Sequence, residues 1–311
     1  MSQLIFRPFR PSDATAVSGL FRQVYGDHYV QPDVYLPKLI TQHNNEGRWQ
    51  SMLAVEGSQV LGHAALCRDK HPTDNPELAL SVVHPATRGQ SIATRLGREL
   101  LEQCAAVTGR CVLIKQVTHH PYTQRMAHTL GFHSTGLLPD YVPSPFAEAL
   151  PETIVVGVHP LAERACPLPD IAWPDSCRAF VQHLGSVFGS DPRVPVSPSR
   201  PLQMKQHHQR VDVVIECLGK RLLDQLAQLP ESWLMSARLA LSANFAEDSE
   251  RLNSKGFVFC GLIPAPDQGR WFALFHRGAR VRHLDLLCPH MQQLHHNLQL
   301  ATRAEATRSA A

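Results

Sequence analysis

Apolar and polar positions follow two rhythms in the first half of the chain. Residues 3–9 alternate as a short strand. Pro11-Ser12-Asp13 offers a helix cap and first turn, and Val17, Leu20, Phe21 and Val24 follow at helical spacing as one stripe. A second helix is expected over about 33–44. Strands over 51–55 and 60–67 flank Glu56-Gly57-Ser58, which reads as a hairpin turn. Residues 77–83 form a further strand, and Leu96, Leu100 and Leu101 give the next helix its apolar face.

The rhythm breaks over 159–209, where eight prolines from Pro160 to Pro201 interrupt the chain. Inside this stretch, Pro174-Asp175-Ser176 starts a helix with Phe180, Val181, Leu184, Val187 and Phe188 on one face. Pattern then returns: a strand at 210–216, a helix at 220–229, a strand at 233–241 and a helix at 247–255. A closing helix follows about residue 283, started or kinked by Pro289, and residues 301–311 read as frayed. The division expected is 1–160, a proline-rich connector at 161–209, and a C-terminal unit at 210–311.

Composition narrows the class. The 311 residues are 43% hydrophobic and 18% charged, a globular balance. Lys and Arg number 30 against 27 Asp and Glu, a net charge of +3 that argues against a nucleic-acid binder. No apolar run approaches the length of a membrane span, and Met1–Arg7 lacks the apolar core of a signal peptide, so a cytoplasmic protein is expected. The eight cysteines form no C-x-x-C pair and read as buried, reduced thiols. The histidine pairs, such as His119-His120, lack cysteine partners at ligand spacing, so no metal is expected.

The segment richest in chemistry is Val83-His84-Pro85-Ala86-Thr87-Arg88-Gly89-Gln90-Ser91-Ile92-Ala93. A strand runs into a loop that opens a helix. The first amides of a helix lack partners and lie at its positive end, which favours an anion. Small residues at Gly89, Ser91 and Ala93 let a bulky anion approach the backbone. On these residues alone the junction reads either as a pyrophosphate cradle or as an ordinary capped helix.

The element order, with Arg88-Gly89-Gln90-Ser91-Ile92-Ala93, resembles the GNAT N-acetyltransferase superfamily and its acetyl-CoA motif Q/R-x-x-G-x-G/A. Thr118 to Ala127, ending in Leu130-Gly131-Phe132, resembles the strand–helix–"GF" segment of that family. Tyr25–Tyr29 and His120-Pro121-Tyr122-Thr123-Gln124 resemble one bacterial subgroup. The resemblance covers about residues 3–160 and implies an α/β fold, a GNAT-type mixed twisted sheet flanked by helices. It implies acetyl-CoA as acyl donor, its pyrophosphate on Arg88, Gly89, Gln90, Ser91, Ile92 and Ala93. The backbone of Val82 or Val83 would polarise the thioester carbonyl. Ser91 departs from the family's glycine.

For proton transfer the resemblance offers Glu77, eleven positions before Arg88, where histone-type relatives carry a catalytic glutamate. Glu77 reads either as that base or as a strand-end carboxylate facing water. The family's tyrosine acid falls on Ala127 and is missing here. His120, placed at the end of a strand, is the preferred substitute over His119, since neighbours on a strand face opposite ways. Tyr122 and Tyr141 are placed on the acceptor side.

Gly256-Phe257-Val258-Phe259-Cys260-Gly261-Leu262-Ile263-Pro264 repeats Gly131–Pro139 at an offset of 125 residues, with Gly, Phe, Gly, Leu and Pro coinciding. A second GNAT-like unit in tandem is therefore expected. Its junction, Cys217-Leu218-Gly219-Lys220-Arg221, lacks the cofactor spacing, so this unit is expected to bind no CoA. The function expected is transfer of an acetyl or short acyl group to an amine, on a small molecule or a protein. The alternative is a non-catalytic acyl-CoA-binding or regulatory protein. A homodimer and a bacterial signalling partner are both compatible with this reading; a nucleic-acid or membrane partner is not.

Overall fold

A computed structural model describes residues 3–68, 75–104, 110–146, 150–161, 166–193, 202–265 and 270–309. The first half contains β1 (Leu4–Pro8), α1 (Ala14–Tyr25), α2 (Pro37–Asn45), β2 (Trp49–Glu56), β3 (Gln59–Cys67), β4 (Glu77–Val83), α3 (Ile92–Gln103), β5 (Cys111–Val117), α4 (Tyr122–Thr129), β6 (His133–Val142) and β7 (Glu152–Pro160). The connecting stretch holds β8 (Leu168–Pro169), α5 (Asp175–Phe188) and β9 (Ser190–Asp191). The second half contains β10 (Gln203–His207), β11 (Arg210–Ile215), α6 (Lys220–Ala227), β12 (Leu234–Ala240), α7 (Phe245–Asn253), β13 (Val258–Pro264), β14 (Trp271–Arg277) and α8 (Pro289–Ser309).

Twelve of these strands form one mixed sheet, ordered β1-β2-β3-β4-β5-β7-β6-β13-β14-β12-β11-β10. The order reads alike from both sides of its β6–β13 joint. β4 and β5 are parallel, β5 and β7 antiparallel, β7 and β6 antiparallel. β11 and β12 are parallel, β12 and β14 antiparallel, β14 and β13 antiparallel. The two halves meet where Gly136 pairs antiparallel with Gly261. These are equivalent positions of the sequence repeat, so the joint carries a local two-fold relation.

Close approach explains the two glycines. A Cβ on Gly261 would lie 2.3 Å from the Thr135 carbonyl oxygen and 2.5 Å from Gly136 Cα, and its φ of +113° disfavours any side chain. A Cβ on Gly136 would meet Leu274 Cδ1 at 2.7 Å.

Three apolar clusters hold the layers. α3 and α4 cover one face of the first half through Leu96, Leu100, Ala127 and Ile114. α1 and α2 cover the other through Phe21, Ile40, Leu53 and Val82. The largest cluster runs from Cys111 and Val156 through Leu184 of α5 to Phe275 and Leu298, so the second half packs its core directly on β5–β7.

Several expectations are refined. The strand Gln203–His207 lies in the stretch read as connector. The C-terminal helix begins at Pro289 and continues through Ser309, where fraying was expected. The eight cysteines are free, but Cys217 is exposed and Cys67 and Cys288 are only partly covered, against the expectation that all are buried. Among the described residues, no helix is long and apolar enough to cross a membrane.

Two histidines are fully enclosed, one in each half. His63 on β3 lies 2.8 Å from the Leu80 carbonyl through Nδ1 and 3.1 Å from Ser51 Oγ through Nε2. His276 on β14 lies 2.8 Å from the Leu137 carbonyl through Nε2, across the joint. Burial pushes His63 down to about 4 and His276 to about 3.

Two predictions follow from the joint and from these rings. Gly261→Ala should lower stability by about 3 kcal/mol in denaturant unfolding, since backbone on β6 blocks the new methyl. The histidines make stability pH-dependent. An unfolded histidine takes its proton near pH ~6.5, whereas the folded chain resists it, so the unfolded state binds more protons below that pH. The contribution is full above about pH 6.5 and should fall by about 1.4 kcal/mol per pH unit for each ring as pH drops. It falls until each folded value, about 4 and about 3, is passed. Replacing one ring by Gln should lower the slope of unfolding titrations by about 1.4 kcal/mol per pH unit in that window; an unchanged slope would contradict the assignment.

Candidate active site

The site begins with a parting of strands. β4 and β5 pair only at Glu77–Leu113 and Leu78–Ile114. Beyond these residues the two strands share no register and open a wedge. The cause is a bulge in β4, where the register against β3 slips between Ala65–Ala79 and His63–Val82. Leu80 adopts a φ of +53°, unusual for a side chain of its size. As a result Leu78 packs toward α3 while Leu80 and Val82 pack toward α1. The His63 ring, fixed on the Leu80 carbonyl, braces this bulge from β3.

β11 and β12 show the contrast. They pair over six successive positions, from Arg210–Leu234 to Ile215–Leu239. No residue from Ile215 to Lys220 takes a positive φ, and Gly219 is extended at the start of α6. The second half is zipped shut where the first half is open.

At the open end, Val82 and Val83 finish β4, and the chain turns through Pro85–Thr87. His84 caps that turn by accepting from the Ala86 amide and contacts Gln23 of α1 at 2.9 Å. Gly89 has a φ of +84° and Ser91 a φ of +57°. Two left-handed residues so close in sequence turn successive amides toward one side, the geometry of an anion-binding nest. The first α-helical bond here runs from the Arg95 amide to the Ser91 carbonyl, which leaves the amides of Ile92, Ala93 and Thr94 at the free end of α3. A Cβ on Gly89 would meet nothing within 4 Å, so the loop borders open space. Ser91, Gln90 and Arg88 are exposed. These features fit a pyrophosphate, and the wedge adjoins them.

A ring of side chains surrounds the other side of the wedge. The charge of Arg88 acts on both Tyr25 and His120. Tyr25 stacks near Tyr29 at 4.8 Å and near Phe146 at 5.6 Å. Phe146 meets His119 at 5.9 Å, and the His119 and His120 rings are 4.1 Å apart. The sequence reading expected only one of these two rings to face the cleft. β5 ends at Val117, so both histidines sit in a bend where strand alternation no longer applies.

Burial raises the Tyr25 hydroxyl above its usual range, so it stays protonated at neutral pH. Burial and the neighbouring His119 lower His120, so its ring stays neutral at neutral pH. Tyr122 is 68% exposed and lies 5.0 Å from the His120 ring.

Glu77 stands at the start of β4, 2.8 Å from Lys115 Nζ, and its charge acts on Tyr29. Lys115 lies over the Tyr141 ring at 5.5 Å, and Arg210 of the second half lies on the same ring at 5.2 Å. Tyr141 is thus held between two cations. Ala127, where the tyrosine acid is missing, is fully buried in the α3–α4 core.

Sequence reasoning missed two contributors. Glu152, at the start of β7, is buried and lies 2.8 Å from His119 Nδ1. The second contributor is the segment before α8. Its Asp285 amide donates to the Thr118 carbonyl at 2.8 Å, and its Leu287 amide donates to Gln124 Oε1 at 3.0 Å. Gln124 Nε2 donates to the Asp285 carbonyl at 2.6 Å. Arg282 donates to the Pro151 carbonyl at 2.6 Å and pairs with Asp140 at 3.0 Å. The quoted subgroup segment held a signal for this strap in Gln124, a polar residue on a short helix.

With the fold and wedge in place, the family can be given. Residues 15–132 match the model of the acetyltransferase (GNAT) family, and this part of the chain is a domain of that family. Acyl transfer from an acyl-CoA to an amine is the general activity of that family. Solved structures similar to this chain include a ribosomal-protein-alanine N-acetyltransferase from Brucella melitensis, at 18% identity and a TM-score of 0.44, covering 51% of this chain and 100% of that one. A phosphinothricin acetyltransferase from Sinorhizobium meliloti, solved with AcCoA, is similar at 19% identity and a TM-score of 0.45, covering 52% and 90%. Comparison with curated proteins finds no match.

The cradle yields a direct test. Ser91→Gly removes a left-handed Cβ, whose strain is about 1–2 kcal/mol, and should tighten acetyl-CoA binding in calorimetry. Gly89→Val places a β-branched residue at a φ of +84° and should weaken it. The loss expected is at least about tenfold. Equal affinities across both variants would show that the ligand does not use this loop.

Proposed function

We propose that the N-terminal unit is an N-acyltransferase that moves an acetyl or short acyl group from CoA to an amine acceptor. The observation that carries this reading is the wedge between β4 and β5, opened after Leu78 and Ile114 and capped by the Gly89–Ser91 nest. When bound, acetyl-CoA supplies an acyl group activated as a thioester. The nest, the free amides of α3 and Arg88 hold the pyrophosphate. The unpaired edge of β4 near Val82 and Val83 offers backbone N–H groups to the carbonyl oxygen. Tyr25, Tyr29 and Phe146 wall the acceptor side and exclude water.

His120 receives the proton that the amine nitrogen loses on attack. Its lowered pKa keeps it in the accepting form at neutral pH. Glu77 is tied to Lys115, so we assign it to the acceptor-side ion pair and give proton transfer to His120. The second half, zipped at β11–β12, is proposed to bind no CoA and to serve as a brace for the first. A non-catalytic acyl-CoA-binding role is the second reading, favoured by Ala127, whose methyl is buried where the family places an acid.

Turnover on an amine panel separates these readings. His120→Ala should lower kcat about 100-fold, whereas Glu77→Gln should cost less than about tenfold. The wild-type rate should fall on the acid side with a midpoint below the ordinary histidine value of about 6.5, because only the neutral ring accepts a proton. Burial sets this midpoint first, and the charged or titratable groups that adjust it are His119, Glu152 and Arg88. Retained acetyl-CoA binding with no turnover on any amine, thiol or water nucleophile would favour the binding role.

A further inference from the structure

Glu152 is an expensive residue to place where it lies. Its side chain is 2% exposed, and Oε2 has no hydrogen-bond partner among the described residues. A buried carboxylate oxygen left without a partner is destabilising, and such groups in folded chains call for an explanation. Oε1 lies 2.8 Å from His119 Nδ1 but off the line of its N–H, so this buried Nδ1 also lacks a formed hydrogen bond among the described residues, and the His119 side chain keeps 24% of its surface. The carboxylate is therefore enclosed while the imidazole it contacts is open to the cleft. The main chain beside Glu152 is fixed from the second half of the protein, by Arg282 on the Pro151 carbonyl.

We propose that His119 and Glu152 form a proton-handling pair in this cleft, His119 as a second catalytic residue and Glu152 as the positioning residue behind it. The proposal rests on the acyltransferase reading of the site. A small rotation of the ring brings Nδ1–H onto Oε1, 2.8 Å away, and Glu152 thereby fixes the tautomer in which Nε2 carries the free lone pair. An amine acceptor arrives as an ammonium ion. Nε2 of His119 takes one proton from it, and the positive ring is balanced by the carboxylate. The neutral nitrogen then bonds to the acyl carbon while the carbon–sulfur bond breaks with its electron pair on sulfur. His119 returns its proton to that sulfur as it leaves, so the ring ends neutral. The second proton, lost from nitrogen once the new bond has formed, leaves through His120 to water. One proton is released per amide made, and nothing is oxidised or reduced.

The pair explains why the two adjacent histidines are not redundant. One prepares the nucleophile and serves the leaving thiol; the other drains the proton from the product. It also explains why the tyrosine acid can be absent at Ala127.

The test uses the full-length protein in two arms. In the first, ring-nitrogen spectra of 15N-histidine-labelled protein should show a solvent-protected Nδ1–H for His119 that is lost in Glu152→Gln and kept in His120→Ala. In the second, Glu152→Gln and His119→Gln should each lower kcat about 100-fold, with the KM for acetyl-CoA unchanged within about twofold. His119→Gln serves should Glu152→Gln fail to fold, since His119 is the more exposed partner. An unchanged His119 signal in Glu152→Gln, or an unchanged kcat in either variant, overturns the proposal. Should the wild type bind acetyl-CoA and turn over no acceptor, the acyltransferase reading fails and the catalytic role of the pair falls with it. The spectra then report separately whether the contact itself exists.

Discussion

The parting of β4 from β5 is the constraint on which the rest depends. Parallel strands normally zip along their whole length, as β11 and β12 do over six positions. To part them, the chain must leave backbone groups without ladder partners and hold them that way. The bulge at Leu80 does so by shifting the parity of β4, and the His63 ring fixes its carbonyl. The site therefore rests on a neutral buried imidazole one strand from the wedge. The strain at Leu80 is local, and packing of Leu80 and Val82 under α1 offsets it.

A sheet parted in its middle needs support from its flank, and the second half provides it. Gly136 and Gly261 bring β6 and β13 close enough to continue one sheet, and the shared apolar cluster makes the joint continuous with the core. The segment before α8 then reaches back to Thr118, Gln124 and Pro151. Those residues border the bend that carries His119 and His120 and the strand that carries Glu152. β11 and β12 stay paired over six positions where β4 and β5 part after two, and the second half packs on the first through a shared core.

Much of this was legible in the residues because local pattern fixes local structure. The strand at 77–83, the Arg88–Ala93 loop and the helix with Leu96 and Leu100 all stand where periodicity and turn chemistry put them. What was not legible depended on contacts far apart in sequence. Glu152 lies in a stretch with no motif, and its meaning comes only from β7 lying beside the end of β5. Strand alternation, used to choose between His119 and His120, does not reach them, because β5 stops at Val117. Lys115 was visible as a charge on an apolar strand, yet nothing local tied it to Glu77, thirty-eight residues earlier. Ser91 looked like a defect in the loop; in the structure it simply takes the left-handed turn that a glycine would.

The charge arrangement has its own logic. Arg88 and the free amides of α3 make one end of the wedge positive, which suits a pyrophosphate and repels an approaching ammonium ion. Burial above all, then the neighbouring His119 and last the Arg88 charge, keeps His120 in its neutral form. A cluster of positive groups and neutral rings would still receive an ammonium poorly. Glu152 supplies the missing negative charge, and it does so from behind His119, enclosed and out of contact with solvent. Placed openly in the cleft, the same carboxylate would pair with Arg88 and draw it from the pyrophosphate. Its burial lets it act on the two adjacent histidines while leaving the cradle positive, so enclosure of the carboxylate and openness of the cradle are two parts of one electrostatic solution.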